Sequence, residues 1–155
     1  IRKNKFLNLG KDFYMVGGMG HTSSVALGFS IINKNQIICL DGDGALLMHL
    51  GSMASIGFYG NKNFKHIVLN NNSHESVGGQ KTNMDKVELK KIAIGLNYKN
   101  YTLLTLESKI KSTLKNFLNK KGPSMLEVKI QIGSMKNLKR PKNLLSVKKN
   151  FMKKK

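Results

Sequence analysis

Two short apolar runs constrain this chain most: the strand-length segments Gln36–Leu40 and His66–Leu69. Each ends abruptly in small polar residues. Asp41-Gly42-Asp43-Gly44 follows the first run, and Asn70-Asn71-Asn72-Ser73-His74 follows the second. A short strand that is apolar throughout is expected where both faces of a sheet are covered, as in parallel sheets layered by helices. The intervening sequence supplies those helices. Thr22 is positioned to cap a helix that runs to about Ile32. Ala45 to about Tyr59 reads as another, with Leu46, Leu47, Leu50 and Met53 on related faces. A helix begins at Asp85, with Val87, Ile92, Ala93 and Leu96 apolar, and Ser108–Lys120 forms the last helix of this series. Tyr101–Leu106 and Met125–Ile132 complete the strands, with Gly122-Pro123 breaking the chain before the last. The alternation predicts one α/β domain, doubly wound, with a mostly parallel sheet and helices on both faces.

Composition sets the outer bounds. The 155 residues, 40% hydrophobic, suffice for one domain with a real core. No apolar stretch approaches the roughly 20 residues that span a bilayer, which argues against a membrane role. Ile1–Gly10 lacks an apolar signal region and an initiator Met, so the chain reads as a fragment or excised domain. The single Cys39 lies within an apolar run and reads as a small buried hydrophobe. A lone cysteine makes no intrachain disulfide, which fits a cytoplasmic setting.

The net charge of +19 raises the question of nucleic acid. Only Arg2 and Arg140 among the 27 basic residues are arginine, whereas base and bidentate phosphate recognition favour arginine. The lysines are scattered and accompanied by 17 asparagines, a drift common to the whole sequence. Residues 135–155 form a basic arm holding nine basic residues and a possible short helix near its end. No specific nucleic-acid partner is expected, and solvated surface lysine explains the charge; a non-catalytic basic binding protein is the alternative that charge alone offers.

In open parallel sheets, ligands bind beyond the carboxyl ends of the strands. If the two apolar strands are neighbours, Asp43 and the asparagines converge there. Carboxylate, amide oxygen and main-chain carbonyl are hard donors suited to Mg²⁺ or Ca²⁺. Gly42 and Gly44 allow a tight turn and close approach, and a helix starting near Ala45 turns unpaired N–H groups toward an anion. Ala45, Leu46 and Leu47 rule out an EF-hand, and no Gly-Lys-Ser/Thr marks a P-loop. Taken singly, Gly42–Gly44 is also explained as a plain turn, the triple asparagine as compositional, and Met19 with Gly17, Gly18 and Gly20 as a core residue in a tight turn.

Gly42-Asp43-Gly44, then 25 residues, then Asn70-Asn71 resembles the signature of thiamine-diphosphate-dependent enzymes. The resemblance implies Mg²⁺ held by Asp43, the Asn71 side chain and the Ser73 carbonyl, with diphosphate oxygens and water completing the shell. It also implies that Gly42, Gly44 and Ala45 line the diphosphate. Val16-Gly17-Gly18-Met19-Gly20 is similar to the segment that touches the aminopyrimidine, with the Gly17 carbonyl accepting from its amino group and Met19 as the apolar wedge.

Longer strings narrow the likeness. Gly17–Ser24 with His21 at its centre, Cys39–His49, and His74-Glu75-Ser76-Val77-Gly78-Gly79-Gln80 resemble the phosphonopyruvate decarboxylase family, with sulfopyruvate decarboxylases as its near relatives. Arg140-Pro141 and Phe151-Met152 also suit that family, whereas Lys81 stands where proline is expected. The implied reaction decarboxylates phosphonopyruvate, an anionic 2-oxo acid, to phosphonoacetaldehyde and carbon dioxide, with His21 and His74 as candidates for proton transfer. Alternatively the chain is a β-type subunit for sulfopyruvate or another 2-oxo acid. The family also implies a glutamate supplied by a separate pyrimidine-binding domain across a subunit interface. None of Glu75, Glu88, Glu107 and Glu127 is placed like it. The expectation is an oligomer in which this chain holds the cofactor and does not turn over alone.

Overall fold

The computed structural model describes residues 12–133, 141 and 143–153. They fall into two compact units, one within Ile1–Met19 and Ser134–Lys155, the other Gly20–Gly133. The larger unit carries the sheet. Its order is α1 (Thr22–Ile32), β1 (Ile37–Gly42), α2 (Asp43–Met48), α3 (Ser52–Tyr59), β2 (Phe64–Asn70), α4 (Leu89–Gly95), β3 (Asn100–Leu104), α5 (Ile110–Asn119) and β4 (Ser124–Lys129). The first unit contains α6 (Leu144–Lys153), a helix within the basic arm, where the Phe151 ring packs on that of Phe13 at a 60° tilt. Arg2, Arg140 and Ile1–Gly10 lie outside the described residues.

The four strands run in the order β1-β2-β4-β3, every pair parallel. Helices cover both faces, as the apolar strands require. On one face Cys39, Phe64, Val68 and Met125 pack with Leu27, Leu46, Met53, Ile56, Leu89 and Ala93 from α1 to α4. On the other, Ile67, Leu104 and Leu126 meet Phe117 of α5. The period of two along β2 divides its side chains: Phe64, His66 and Val68 go one way, Lys65 and Ile67 the other. Lys65 is buried beneath α5, where its ammonium reaches the Lys120 carbonyl at the helix end and sits 5.9 Å from the Phe117 ring. Burial lowers its pKa.

Several boundaries depart from expectation for identifiable reasons. The helix expected over Ala45–Tyr59 is two helices, broken at His49-Leu50-Gly51, where His49 leaves helical dihedrals and Gly51 weakens the run. Its start lies at Asp43, two residues early. Thr22 is the first residue of α1 and does not cap it; His21 occupies the cap position, and its side chain makes no capping hydrogen bond. Asp85 lies in a 3₁₀ turn (Met84–Lys86), and the helix proper begins at Leu89, because left-handed Asn83 turns the chain and sends Met84 into the core. Two asparagines prove structural. Asn61 donates to the Ser30 carbonyl, and Asn63 reaches the carbonyls of Asn33 and Asn35, closing the end of α1. Among the described residues, no helix is long and apolar enough to cross a membrane.

Candidate functional site

The parallel register places both chemistry-bearing loops at one edge. Gly42 stands opposite Leu69, so Asp43 and Asn70 leave neighbouring strands side by side. Asp43 is 2% exposed, and Thr82 Oγ1 donates to its Oδ2 at 2.5 Å. A hydrogen bond onto a buried carboxylate is among the stronger kinds. It fixes the side chain and leaves Oδ1 for another partner.

Thr82 arrives there because the second loop folds back on itself. The His74 amide donates to the Gln80 carbonyl, and the Thr82 amide to the Asn72 carbonyl, bracketing a bridge between Ser73 and Lys81. Lys81's own N–H makes neither of those bonds, so lysine in place of the expected proline leaves the closure intact. Thr82 thereby joins the first loop to the second: its side chain holds Asp43, and its backbone holds Asn72, between Asn71 and Ser73. Asn72 itself has φ +56, a left-handed conformation that asparagine tolerates better than most residues.

The other expected ligands are ordered locally. The Asn71 Oδ1 atom accepts the Ser73 amide at 3.0 Å, and its Nδ2 donates to Glu75 Oε2 at 2.7 Å. Glu75 in turn accepts the Gly133 amide. Asn70, buried, is gripped by Glu127 through a 2.7 Å bond and accepts the Asn72 amide on its own oxygen. Glu127 receives Tyr101 Oη and Lys129 Nζ as well, the latter at 2.7 Å. Burial alone raises the Glu127 pKa; the bonds from Lys129, Tyr101 and Asn70 outweigh it and hold the carboxyl below the ordinary range. Burial and the same hydrogen bond push the Tyr101 phenol up.

Three glycines and three histidines complete the neighbourhood. A Cβ on Gly44 would lie 2.3 Å from His74 Nδ1, so the imidazole rests directly on the Gly42–Gly44 turn. A Cβ on Gly20 would come within 3.0 Å of the Ala45 carbonyl and 2.6 Å of His49, and Gly20 has φ +85. The rings of His21 and His49 stand 4.1 Å apart. His49, for which a packing or surface role is the ordinary expectation, is exposed, with its ring beside that of His21. Gly20, His21, Gly42, Asp43, Gly44, Ala45, Asn71, Ser73 and His74 all belong to the larger unit. Gly17, Gly18 and Met19 belong to the other. There Gly17 has φ +80, and a Cβ on Gly18 would meet Met15 at 2.7 Å.

The donor set suits a hard cation. Carboxylate, amide and carbonyl oxygens are what Mg²⁺ takes from proteins, and a buried carboxylate with one oxygen already engaged fits one-point ligation. Thr82 and Glu127 carried no signal in the sequence, and Glu75 and His49, though inside the strings that resemble the family, had no site role assigned to them. Thr82 stands 39 residues from Asp43, and Glu127 57 from Asn70, with no motif around either.

Comparison with known proteins identifies the family. The family described as thiamine pyrophosphate enzyme, C-terminal TPP binding domain, matches residues 2–128. The chain is 37% identical over 132 residues to phosphonopyruvate decarboxylase of Streptomyces viridochromogenes, an alignment covering 85% of this chain and 33% of that protein. It is 38% identical over 110 residues to sulfopyruvate decarboxylase subunit beta of Methanocaldococcus jannaschii, covering 70% and 58% respectively. The chain thus spans about a third of the length of the phosphonopyruvate decarboxylases it matches. A thiamin diphosphate-dependent enzyme structure from Mycobacterium smegmatis shares the fold, with TM-score 0.59 and 21% identity over 76% of this chain and 23% of that one. The chain therefore belongs to the thiamine pyrophosphate enzymes, in the family formed by their C-terminal TPP-binding domain.

Proposed function

We propose that this chain is the diphosphate-binding half of a thiamine-diphosphate-dependent carboxy-lyase acting on an anionic 2-oxo acid, phosphonopyruvate in the first instance. The observation that carries the reading is Thr82, which ties the buried Asp43 carboxylate to the loop bearing Asn71 and Ser73. Asp43, Asn71 Oδ1 and the Ser73 carbonyl hold Mg²⁺, and Gly42, Gly44 and Ala45 lie along the diphosphate. Gly17, Gly18, Met19 and Gly20 serve the aminopyrimidine, with the Gly17 carbonyl as acceptor and Met19 as wedge. The bound cofactor supplies the carbon nucleophile and the electron sink for decarboxylation. His21 and His74 carry protons or contact substrate, each being close to the glycine turns named above. The product from phosphonopyruvate is phosphonoacetaldehyde, and on this reading the chain serves phosphonate biosynthesis; the lone buried Cys39 supports a cytoplasmic setting.

A pyrimidine-binding domain or subunit completes the site within a homo- or hetero-oligomer. Residues 1–134 form the cofactor-binding domain on this reading, and 135–155 an appended basic arm. A second substrate reading has its own support: the relative from Methanocaldococcus jannaschii is a sulfopyruvate decarboxylase subunit, and the chain covers more of it than of the phosphonopyruvate enzymes.

Calorimetric titration of thiamine diphosphate with Mg²⁺ tests the proposal, using the chain, its Asp43→Ala variant, and each with a pyrimidine-domain partner. Binding that requires Asp43 and tightens with the partner is expected, as is carbon dioxide release only by the pair. Binding indifferent to Asp43 refutes the metal assignment. Steady turnover by the chain alone refutes the half-site reading. Phosphonopyruvate and sulfopyruvate offered to the pair separate the two substrates.

A further inference from the structure

Beneath the first loop lies a second cluster that the cofactor reading does not use. Cys39 and Asp41 are two apart on β1 and therefore share a face. His66 stands opposite Cys39 in the parallel register. The Cys39 sulfur, an Asp41 carboxylate oxygen and a His66 ring nitrogen all lie within 4.8 Å of one another. All three residues are buried, with exposures of 2%, 5% and 0%.

Two of those donors have no hydrogen-bond partner. Asp41 Oδ2 and His66 Nε2 are both fully buried and unsatisfied, 3.6 Å apart. Buried polar atoms normally have partners, and a pair that faces across 3.6 Å without closing to a hydrogen bond calls for an explanation, an ion shared with the nearby thiol being one. The remaining atoms of both side chains are engaged. Asp41 Oδ1 accepts the Gly42 amide at 3.1 Å, and His66 Nδ1 lies 3.0 Å from Tyr98 Oη. With the proton on Nδ1 donated to Tyr98, the Nε2 lone pair faces Asp41 and Cys39. A metal-bound histidine is commonly fixed in this way, its other nitrogen anchored by an outer partner.

We infer that Cys39, Asp41 and His66 form a buried site for a borderline-soft divalent cation of the zinc class, separate from the magnesium site. Thiolate, imidazole and carboxylate are zinc ligands, whereas Mg²⁺ avoids sulfur and nitrogen. With bonds of about 2.0 Å to nitrogen and oxygen and 2.3 Å to sulfur, tetrahedral donors stand roughly 3.3 to 3.6 Å apart. The Asp41–His66 separation of 3.6 Å is at the upper end of that range, and the sulfur lies within 4.8 Å of both. Burial and the Asp41 charge push the Cys39 thiol up, so it stays protonated in the empty cluster. A cation reverses that balance, and binding releases the thiol proton. Three protein donors leave one tetrahedral position for water.

The site lies directly under Gly42 and Asp43, so its occupation clamps the root of the loop that holds the cofactor. It does not depend on the proposed substrate.

The test is cobalt(II) substitution of the full chain. A near-ultraviolet thiolate-to-cobalt absorption with tetrahedral visible bands is expected, together with stoichiometric zinc after purification in zinc-containing buffer. Cys39→Ser removes the charge-transfer band while preserving packing, and it decides the matter even if His66→Gln fails to fold. Tyr98→Phe weakens cobalt affinity about 10- to 100-fold, as loss of an outer partner does. Asp43→Ala leaves the band unchanged, which separates this site from the magnesium site. A folded chain with no thiolate band under excess Co²⁺ overturns the inference, leaving Asp41 and His66 as a hydrogen-bonded pair. So does zinc retained equally by Cys39→Ser, which places the metal on other histidines.

Discussion

Replacing Glu127 by alanine should destabilise the domain and loosen the cofactor loop at the same time. Its carboxylate receives Asn70 Nδ2, Tyr101 Oη and Lys129 Nζ. The consequences for the three donors differ. Lys129 is 37% exposed and rehydrates, Tyr101 is half-buried, and Asn70 is 1% exposed with nowhere to turn. An orphaned buried donor costs about 1–3 kcal/mol, and a hydrogen bond to a charged group contributes about 1.5–3 kcal/mol. The alanine variant should therefore lose about 3–4 kcal/mol of unfolding free energy. Glutamine keeps an acceptor for Asn70 and Lys129, and Tyr101 can turn to accept from its amide, so that variant loses only about 1 kcal/mol. Asn70 also holds the Asn72 amide, so the disturbance passes to Asn71 and Ser73. Loss of such an outer support typically weakens metal affinity about 10- to 100-fold.

Urea denaturation gives the first quantity and magnesium-dependent titration of thiamine diphosphate the second. The pH dependence adds a signature. Because the folded pKa lies below the ordinary value of 4.5, the unfolded chain binds more protons in the acid range. The stabilisation is full above that value and fades as pH falls through the folded pKa. Wild type should lose stability there more steeply than Glu127→Gln. Unfolding free energies within about 0.5 kcal/mol of wild type for both variants would refute the account, since that is the scatter of an ordinary surface substitution.

Two further outcomes test other parts of the structure. Gly44→Ala should fold but bind thiamine diphosphate about tenfold more weakly, because its Cβ displaces the His74 ring at 2.3 Å; His74→Ala in the same chain should recover the loss by titration. Gly57→Ala should cost about 3 kcal/mol in urea denaturation, at the upper end of overpacking, since its Cβ would stand 1.5 Å from the Leu96 carbonyl oxygen and backbone cannot rotate away.

What the sequence made legible was local. Short apolar runs announced parallel strands covered on both faces, and the Asp43 and Asn70–Ser73 loops announced themselves at the strand ends. Contacts made at long range were not announced. Thr82 lies in the second loop but beyond its Asn70–Ser73 and His74–Gln80 strings, and only the fold-back that pairs Ser73 with Lys81 carries it to Asp43. Cys39 reads as a buried hydrophobe, and it is buried; that His66 faces it emerges only from the register of two strands. The break between α2 and α3 was hidden because Leu50 and Met53 continue the apolar pattern of Leu46 across it. Asparagine-richness looked like drift, yet Asn61 and Asn63 close a helix end.

The pairing of β1 with β2 acts as a ruler for the two loops. Asp43 and Asn70 meet because Gly42 stands opposite Leu69, and a one-residue slip would carry one loop about 3.3 Å past the other and turn His66 to the opposite face. The 25 residues between the motifs measure nothing themselves. Lengthening the turn between α3 and β2, at Asn61 to Asn63, leaves the ruler unchanged, whereas one residue added within Phe64–Asn70 dismantles both the loop pair and the cluster beneath it. The meeting of the two loops is thus set by the count of residues inside each strand, not by the length of the chain between them.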